Sequence, residues 1–266
     1  MYDFAYHRPD NLDDAANILK INPEATVLAG GMTLIPTLKL RLANPSDVVD
    51  LSAIDSLNVL SVAGEKVSVG AMTTHSDVST SKELMETIPG LSRLAKGIGD
   101  PHVRHRGTIG GSVANNDPAA DYPAAVLALN ASVNTISRTI NADEFFTGQF
   151  ATVLEEHEII TSIDFPIPRR SAYEKFSNPA SRYAIVGVMV ADTEAGVRVA
   201  VTGAGPSVFR VAKMEEALSN DFSADAIAGI TLSADDLNSD IHASSEYRAH
   251  LVSVMAMRAV NSALTQ

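Results

Sequence analysis

The spacing of apolar and polar residues changes period several times along the chain, and each change marks an element. Leu12, Ala15, Ala16 and Leu19 fall at i, i+3, i+4 and i+7 behind Asn11, which predicts a helix capped by Asn11 with one buried face. Thr26-Val27-Leu28 reads as a short strand running into Gly30-Gly31, followed by a helical stretch from Leu34 to Leu42 and a strand over Val48 to Leu51. Val59 to Val62 and Val67 to Val69 flank Ala63-Gly64-Glu65-Lys66, the pattern of a hairpin. Leu91, Leu94, Ala95 and Ile98 share a helical face. Beyond them come a glycine-rich turn at Gly107 to Ser112, a helix over Pro118 to Leu129, and strands at Ser132-Val133 and Ile159 to Phe165.

Pro166-Ile167-Pro168-Arg169-Arg170 interrupts both periodicities and is the best boundary in the chain. After it, strands are expected at Tyr173 to Ser177, Ala184 to Ala191 and Val197 to Thr202, then helices at Val211 to Leu218 and Glu246 to Leu264. In the last helix Tyr247, Leu251, Val254, Met255 and Arg258 are expected to share the packed face. The fold class is α+β in two domains, residues 1–167 (subdomains of about 1–57 and 58–167) and 168–266.

Composition narrows the chemistry. The 266 residues, 45% hydrophobic and 20% charged, can bury a substantial core. A formal charge of −12 disfavours nucleic acid and anionic membranes as partners, so an anionic ligand has to be captured locally. With no cysteine there is no disulfide, no cysteine-ligated cluster or zinc site and no thiol catalysis; redox work would need an organic cofactor or a partner's cluster. The stretch from Met1 to Pro9 lacks a signal-peptide core and no apolar run is long enough to span a bilayer, so a cytoplasmic location is expected.

Two glycine pairs, each followed by a hydroxyl residue and a helical stretch, are the main chemical signal: Ala29-Gly30-Gly31-Met32-Thr33-Leu34-Ile35-Pro36 and Thr108-Ile109-Gly110-Gly111-Ser112. Glycine lets backbone N–H groups converge on one anion without a Cβ in the way. Pro36 suits a first helical turn, and Thr33 is placed to cap that helix. One such pair is ordinary loop punctuation; two give cradles enough for a pyrophosphate. Neither matches the three-glycine dinucleotide pattern nor the phosphate loop ending in Gly-Lys-Ser/Thr.

These segments, with Lys39-Leu40-Arg41-Leu42 after the first and Val113 to Pro123 after the second, resemble the paired flavin motifs of the FAD-binding medium subunits of molybdenum hydroxylases, the family of carbon monoxide dehydrogenase and xanthine dehydrogenase. The similarity runs from Tyr6-His7-Arg8-Pro9 into Lys175 to Tyr183, most of the chain. It implies a PCMH/CO dehydrogenase flavoprotein-type FAD-binding fold with a smaller C-terminal α+β domain. It also implies a subunit that relays electrons from a partner's [2Fe–2S] clusters through FAD to an external acceptor. Substrate oxidation would lie on a separate molybdopterin subunit, with the three chains forming a heterotrimer, often doubled.

By the same resemblance, Ala29 to Thr33, continuing to Leu34, and Thr108 to Ser112 hold the pyrophosphate and adjoining parts of FAD, and Asp121 binds the ribose or ribityl region. Ile98 and Gly99 lie near the isoalloxazine ring, Ile160 and Lys175 approach its pyrimidine edge, and Tyr183 covers one face. A cation at that edge would stabilise the negative charge of reduced flavin. Family members commonly carry a polar residue where this chain has Met32, so Met32 is expected to tune the site.

Other groupings read as ordinary surface. His102, Arg104, His105 and Arg106 form a basic patch facing solvent or a partner, since a metal site needs three or four convergent ligands. Glu155-Glu156-His157-Glu158 reads as a solvated turn, and Met255 and Met257 as core and surface. The residues alone also admit a non-redox nucleotide-binding scaffold, which would bind ADP without colour, or a stand-alone flavin oxidoreductase, which would turn over substrate without partners.

Overall fold

The structure is a computed structural model that describes residues 1–265. Its first unit contains β1 (Ala5–His7), α1 (Leu12–Ile21), β2 (Thr26–Leu28), α2 (Leu34–Lys39) and β3 (Asp47–Asp50), with the strands parallel in the order β1-β3-β2. Asn11 caps α1 by accepting the Asp14 N–H at 2.9 Å, and Ala15 and Leu19 bury the predicted face against Val49 and Leu51. Helix α2 ends earlier than its apolar spacing suggests. Arg41 turns left-handed (φ 59°) and the Leu42 N–H closes onto the Thr37 carbonyl at 3.0 Å, which stops the helix before Leu40. Thr33 does not cap it. Its backbone is already helical and its side chain makes no capping bond; the first turn closes through Ile35 N–H onto the Gly31 carbonyl.

The second unit runs through β4 (Leu60–Ala63), β5 (Lys66–Gly70), α3 (His75–Thr80), α4 (Lys82–Thr87), α5 (Pro89–Lys96), α6 (Pro101–Arg104), α7 (Ile109–Asn115), α8 (Tyr122–Ala128), β6 (Ser132–Thr135), β7 (Thr139–Asn141), α9 (Ala142–Phe145), β8 (Phe146–Gly148), β9 (Ala151–Thr152) and β10 (Ile160–Pro166). Five strands form an antiparallel sheet in the order β4-β5-β10-β6-β7, and the hairpin turns through Gly64 at φ +60°. The helix expected over Pro118 to Leu129 is shorter. Asn116 in the left-handed region ends α7, the turn closed by Ala120 N–H on the Asp117 carbonyl carries Pro118, and the next helix starts only at Tyr122, with Pro123 in its first turn. Ile98 lies beyond the end of α5, off the helical face it was grouped with.

The third unit contains β11 (Arg170–Ser177), β12 (Ala184–Thr193), β13 (Gly196–Thr202), β14 (Phe209–Arg210), α10 (Ala212–Asn220), α11 (Ala224–Ile227) and α12 (Ser245–Leu264). Its four antiparallel strands follow chain order. Every residue of β12 is buried because the sheet is covered on both faces, by α12 on one and by α5 and α8 of the second unit on the other. A continuous apolar run such as Ala184 to Ala191 is what two covered faces require. The packed face of α12 is rotated from the expected one. Leu251, Val252, Met255, Ala256, Ala259 and Val260 are buried while Tyr247 and Arg258 are exposed, since the small alanines let the helix approach the sheet closely.

Gly187 in β12 is a point of tight packing: an added Cβ would collide with the Tyr173 hydroxyl. Gly187→Ala is expected to cost about 1–3 kcal/mol by overpacking, and the same change should cost less in a Tyr173→Phe background, where the obstructing atom is gone, whatever Tyr173→Phe itself costs at Asp121. Urea denaturation of the single and double variants measures both.

Candidate cofactor site

The two glycine motifs meet at one cavity of about 640 Å³. Gly111 sits against Ala29, where its ideal Cβ would lie 3.5 Å from the alanine's own, and a Cβ on Gly30 would lie 2.8 Å from the Gly107 Cα and strike the Arg106 carbonyl. Glycine at position 30 is therefore a condition for the two segments to touch. Gly31 has φ +72°, a conformation that L side chains rarely adopt.

The motifs make different offers to a ligand. Among the described residues, none of the consecutive backbone N–H groups from Ala29 to Leu34 has an acceptor within the protein. A run of unpaired donors at a cavity wall is the concavity that anions occupy. The second motif offers none of its amides. Ile109 N–H donates to the Thr73 carbonyl (3.0 Å), Gly110 to Ala71 (2.9 Å), Gly111 to Thr108 Oγ1 (3.2 Å) and Ser112 to the Thr108 carbonyl (3.1 Å). The expected glycine-rich turn is in fact the first turn of α7, N-capped by Thr108. What it contributes is a wall of Gly110 and Gly111 without Cβ, together with the Thr108 and Ser112 side chains.

Of the residues expected at the site, Ala29, Gly30, Gly31, Met32, Thr33, Leu34, Ile98, Gly99, Thr108, Gly110, Gly111, Ser112, Asp121, Ile160 and Tyr183 all line this cavity. Two do not. Ile109 is fully buried in the central apolar core and anchors the motif from behind. Lys175 has only 7% of its side chain exposed, and its ammonium lies 2.9 Å from each of the Gly97 carbonyl, the Arg182 carbonyl and Asp121 Oδ1. With all three donors engaged, it has none left for a ring edge.

That lysine nevertheless organises the site. Asp121, 4% exposed, accepts on Oδ1 both from Lys175 and from the Tyr173 hydroxyl at 2.5 Å. Burial raises the carboxyl above its ordinary range and the Lys175 charge opposes the rise. The Tyr173 hydroxyl, pushed well up by burial and then by the neighbouring carboxylate, stays protonated and donates. Strands β12 and β13 hold the approach to Asp121: Thr202 Oγ1 donates to the Ala120 carbonyl at 2.6 Å, and the Gly203 N–H to the Pro118 carbonyl at 2.8 Å.

Several residues at or behind the cavity wall had no signal in the sequence. Arg104, grouped there with a surface patch, is half-buried and donates to both the Ile98 and Gly99 carbonyls at 2.9 Å, while His102, His105 and Arg106 are exposed as expected. Arg182, left-handed at φ 63°, also donates to the Gly99 carbonyl at 3.1 Å. Its loop is wound around Asn178, whose Oδ1 accepts from the Ala180 and Ser181 N–H groups, and this winding presents Tyr183 to the cavity. Glu158 is no solvated turn residue. Its side chain is 2% exposed and bound at both oxygens by Arg138 at 2.9 Å. His75 at the cavity floor is taken up below. Among the described residues no three His, Cys, Asp or Glu side chains converge as metal ligands, and no helix is long and apolar enough to cross a membrane.

A run of free amides, a polar belt at Asp117 and Asp121, and an apolar stretch of Ile98, Gly99, Val103, Ile160 and Tyr183 line this one cavity, and its glycine motifs lie outside the three-glycine dinucleotide class. Comparison with known proteins gives it a family. Residues 2–168 match the FAD binding domain in molybdopterin dehydrogenase, and residues 171–263 match the CO dehydrogenase flavoprotein C-terminal domain. The chain is 35% identical to the nicotine 6-hydroxylase medium subunit of Paenarthrobacter nicotinovorans, over 96% of this chain and 95% of that one. It is 34% identical to the carbon monoxide dehydrogenase medium chain of Hydrogenophaga pseudoflava, over 98% and 96%. The solved structure of carbon monoxide dehydrogenase from Oligotropha carboxidovorans superposes with a TM-score of 0.90 at 31% identity, covering 99% of this chain and 98% of that one. The chain belongs to the FAD-binding medium subunits of molybdenum hydroxylases, and FAD is the cofactor of this oxidoreductase subunit.

Two outcomes test the site's internal bonding. Lys175→Met should cost roughly 3–5 kcal/mol, because it strands a buried carboxylate, and Asp121→Asn in the same chain should recover much of it; denaturant midpoints of the double-mutant cycle measure both. Glu158 is held down to about pH 2, first by the Arg138 hydrogen bonds and then by those from Thr135, the Glu155 N–H and Ser137, with burial opposing. Since this folded value lies below the ordinary 4.5, its contribution to stability is complete above pH 4.5 and is lost as pH falls from there towards 2. Glu158→Gln should therefore lower stability at pH 7 and flatten the acid limb of the stability curve.

Proposed function

We propose that this chain is the electron-relaying subunit of a molybdenum-containing hydroxylase or dehydrogenase, taking electrons from [2Fe–2S] clusters of a small partner subunit and delivering them to an external acceptor. Substrate oxidation then belongs to a molybdopterin-bearing large subunit, in a heterotrimer that assembles as a doubled complex. Bound FAD supplies the redox chemistry. The observation that carries this reading is the unpaired amide run from Ala29 to Leu34 facing the Gly107 to Ser112 segment across one cavity.

The residues divide the work. The amides of Ala29 to Leu34 take the pyrophosphate, with Thr108 and Ser112 beside them, and Asp121 accepts from a ribose or ribityl hydroxyl. Ile98, Gly99 and Ile160 shape an apolar slot for the flavin ring, which Tyr183 closes on one face. Arg104, Arg182 and Lys175 converge on the carbonyls of Gly97, Ile98 and Gly99. This brings positive charge close behind the slot, where it favours added negative charge on a bound ring. Met32, 39% exposed on the wall, adjusts contact without supplying a polar group. The same reading divides the chain into a cofactor domain of 1–167, with subdomains near 1–57 and 58–167, and a C-terminal domain of 168–266 that closes the site, and it places the assembly in the cytoplasm.

The test is the visible spectrum of the purified assembly after gel filtration. Flavin bands near one per chain are expected, and Gly31→Val, which forces a β-branched residue to positive φ beside the free amides, should abolish them. An intact assembly without flavin would overturn the proposal, and a colourless chain that still binds ADP would favour a nucleotide-binding scaffold.

A further inference from the structure

His75 opens α3 beneath the second glycine motif and is 5% exposed, yet it lines the cavity. Its Nδ1 is buried with no hydrogen-bond partner, and no hydrogen bond from another side chain holds the ring. The ring packs on Tyr122, with centroids 5.3 Å apart, and the Tyr122 hydroxyl is likewise buried and unpartnered. On the other side, a Cβ on Gly107 would come within 2.5 Å of His75 Nε2, and Gly107 is the residue on which Gly30 rests. Imidazole, Gly107 and the free-amide loop are thus stacked in direct succession. The other ring nitrogen, Nε2, makes no hydrogen bond within the protein and is not sealed from solvent as Nδ1 is, and an unpaired donor on a side chain that lines a ligand cavity points to the ligand as its partner.

We propose, resting on the FAD reading above, that His75 is a cofactor-binding residue whose Nε2–H donates to a phosphate oxygen of the dinucleotide from the floor of the cradle. The imidazole does this as a neutral donor. Burial pushes its pKa down to about 4, and the nearby Arg104 charge pushes the same way, so the ring carries no charge at neutral pH. With Nδ1 sealed from the cavity by burial, the ring has only its Nε2 edge to offer. Its length and rigidity, fixed by Tyr122 and Gly107, set the depth at which the phosphate settles beside the amides of Ala29 to Leu34.

A structural role and a ligand-directed role predict opposite stability effects. An unpartnered buried imidazole destabilises the ligand-free chain, so His75→Leu, which removes the unpaired polar group at similar volume, should leave the ligand-free melting temperature unchanged or raise it. The same variant should bind FAD and ADP at least about tenfold more weakly, as expected for a lost hydrogen bond to a charged group. FMN, which lacks the pyrophosphate, should be affected less. His75→Gln, whose Nε2 can reach the same place, should restore most of the affinity.

The measurement is equilibrium binding of FAD, ADP and FMN to the full chain with its co-purifying subunits, beside melting curves without ligand. A His75→Leu variant that binds FAD and ADP like the parent overturns the assignment, as does one that loses affinity only in proportion to a fall in ligand-free stability. Parent protein that binds neither FAD nor ADP would overturn the functional reading itself, and this inference with it.

Discussion

The arrangement of the site depends on one buried charge pair. Asp121 and Lys175 are both withdrawn from water, and desolvation on this scale is tolerated only where the pair is also fully hydrogen-bonded. The lysine meets this demand with two carbonyls, Gly97 and Arg182, and the aspartate with the Tyr173 hydroxyl. Each partner comes from a different element at or behind the cavity: the turn after α5, the loop before β12, and strand β11. Satisfying the charges therefore fixes the relative positions of Ile98-Gly99, Arg182-Tyr183 and the segment leading into α8. The C-terminal sheet is thereby part of the site, although only its loop residues reach the cavity.

A second constraint is steric and acts on the first motif. Gly30 lies directly on the Arg106-Gly107 backbone, and Gly107 lies directly on His75. No side chain fits at either glycine without separating the layers. The first motif cannot fold back on its own amides, because Ala29 to Leu34 turn through a left-handed glycine before the helix begins. Their N–H groups are left pointing at the cavity. The second motif, by contrast, uses its amides to dock on the Ala71 and Thr73 carbonyls. Two similar glycine segments consequently differ in what they offer: one leaves its amide donors free at the cavity, and the other is a smooth, backbone-anchored wall opposite it.

The sequence made the architecture legible where a single period governs a segment. The α1 face, the β4–β5 hairpin, the break after Pro166 and the doubly buried run of β12 all follow from local spacing and turn chemistry. It misled where a long-range contact decides. Thr33 has the right residue type for a cap, but the Gly31 carbonyl closes that turn. The face of α12 is set by alanines whose value lies in close approach to the sheet, which large apolar residues at helical spacing do not reveal. Lys175 is expected at the ring edge, but its contacts with Asp121 and Gly97, 54 and 78 positions away, hold it behind the cavity wall, and no local pattern reveals that pairing. Arg104, Glu158 and His75 share that difficulty. Each is an isolated polar residue whose role arises only when distant backbone surrounds it.

Under the proposed placement of the cofactor, these contacts give a strongly acidic protein a place to hold a doubly charged pyrophosphate. The net charge of −12 repels such a ligand at long range. At the wall, however, the nearest groups are backbone donors from Ala29 to Leu34, and the carboxylates at the cavity are already partly committed: Asp121 to Lys175 and Tyr173, Glu158 to Arg138, and Asp117 to the Ala119 N–H. A carboxylate bound to a cation presents little net field at contact distance, while an unpaired amide presents its full dipole. Selection for the anion is thus achieved by pairing the acids locally and leaving the amides free. The proposed placement likewise puts neutral donors next to the phosphates, while the cations Arg104, Arg182 and Lys175 are gathered on the carbonyls of residues 97–99.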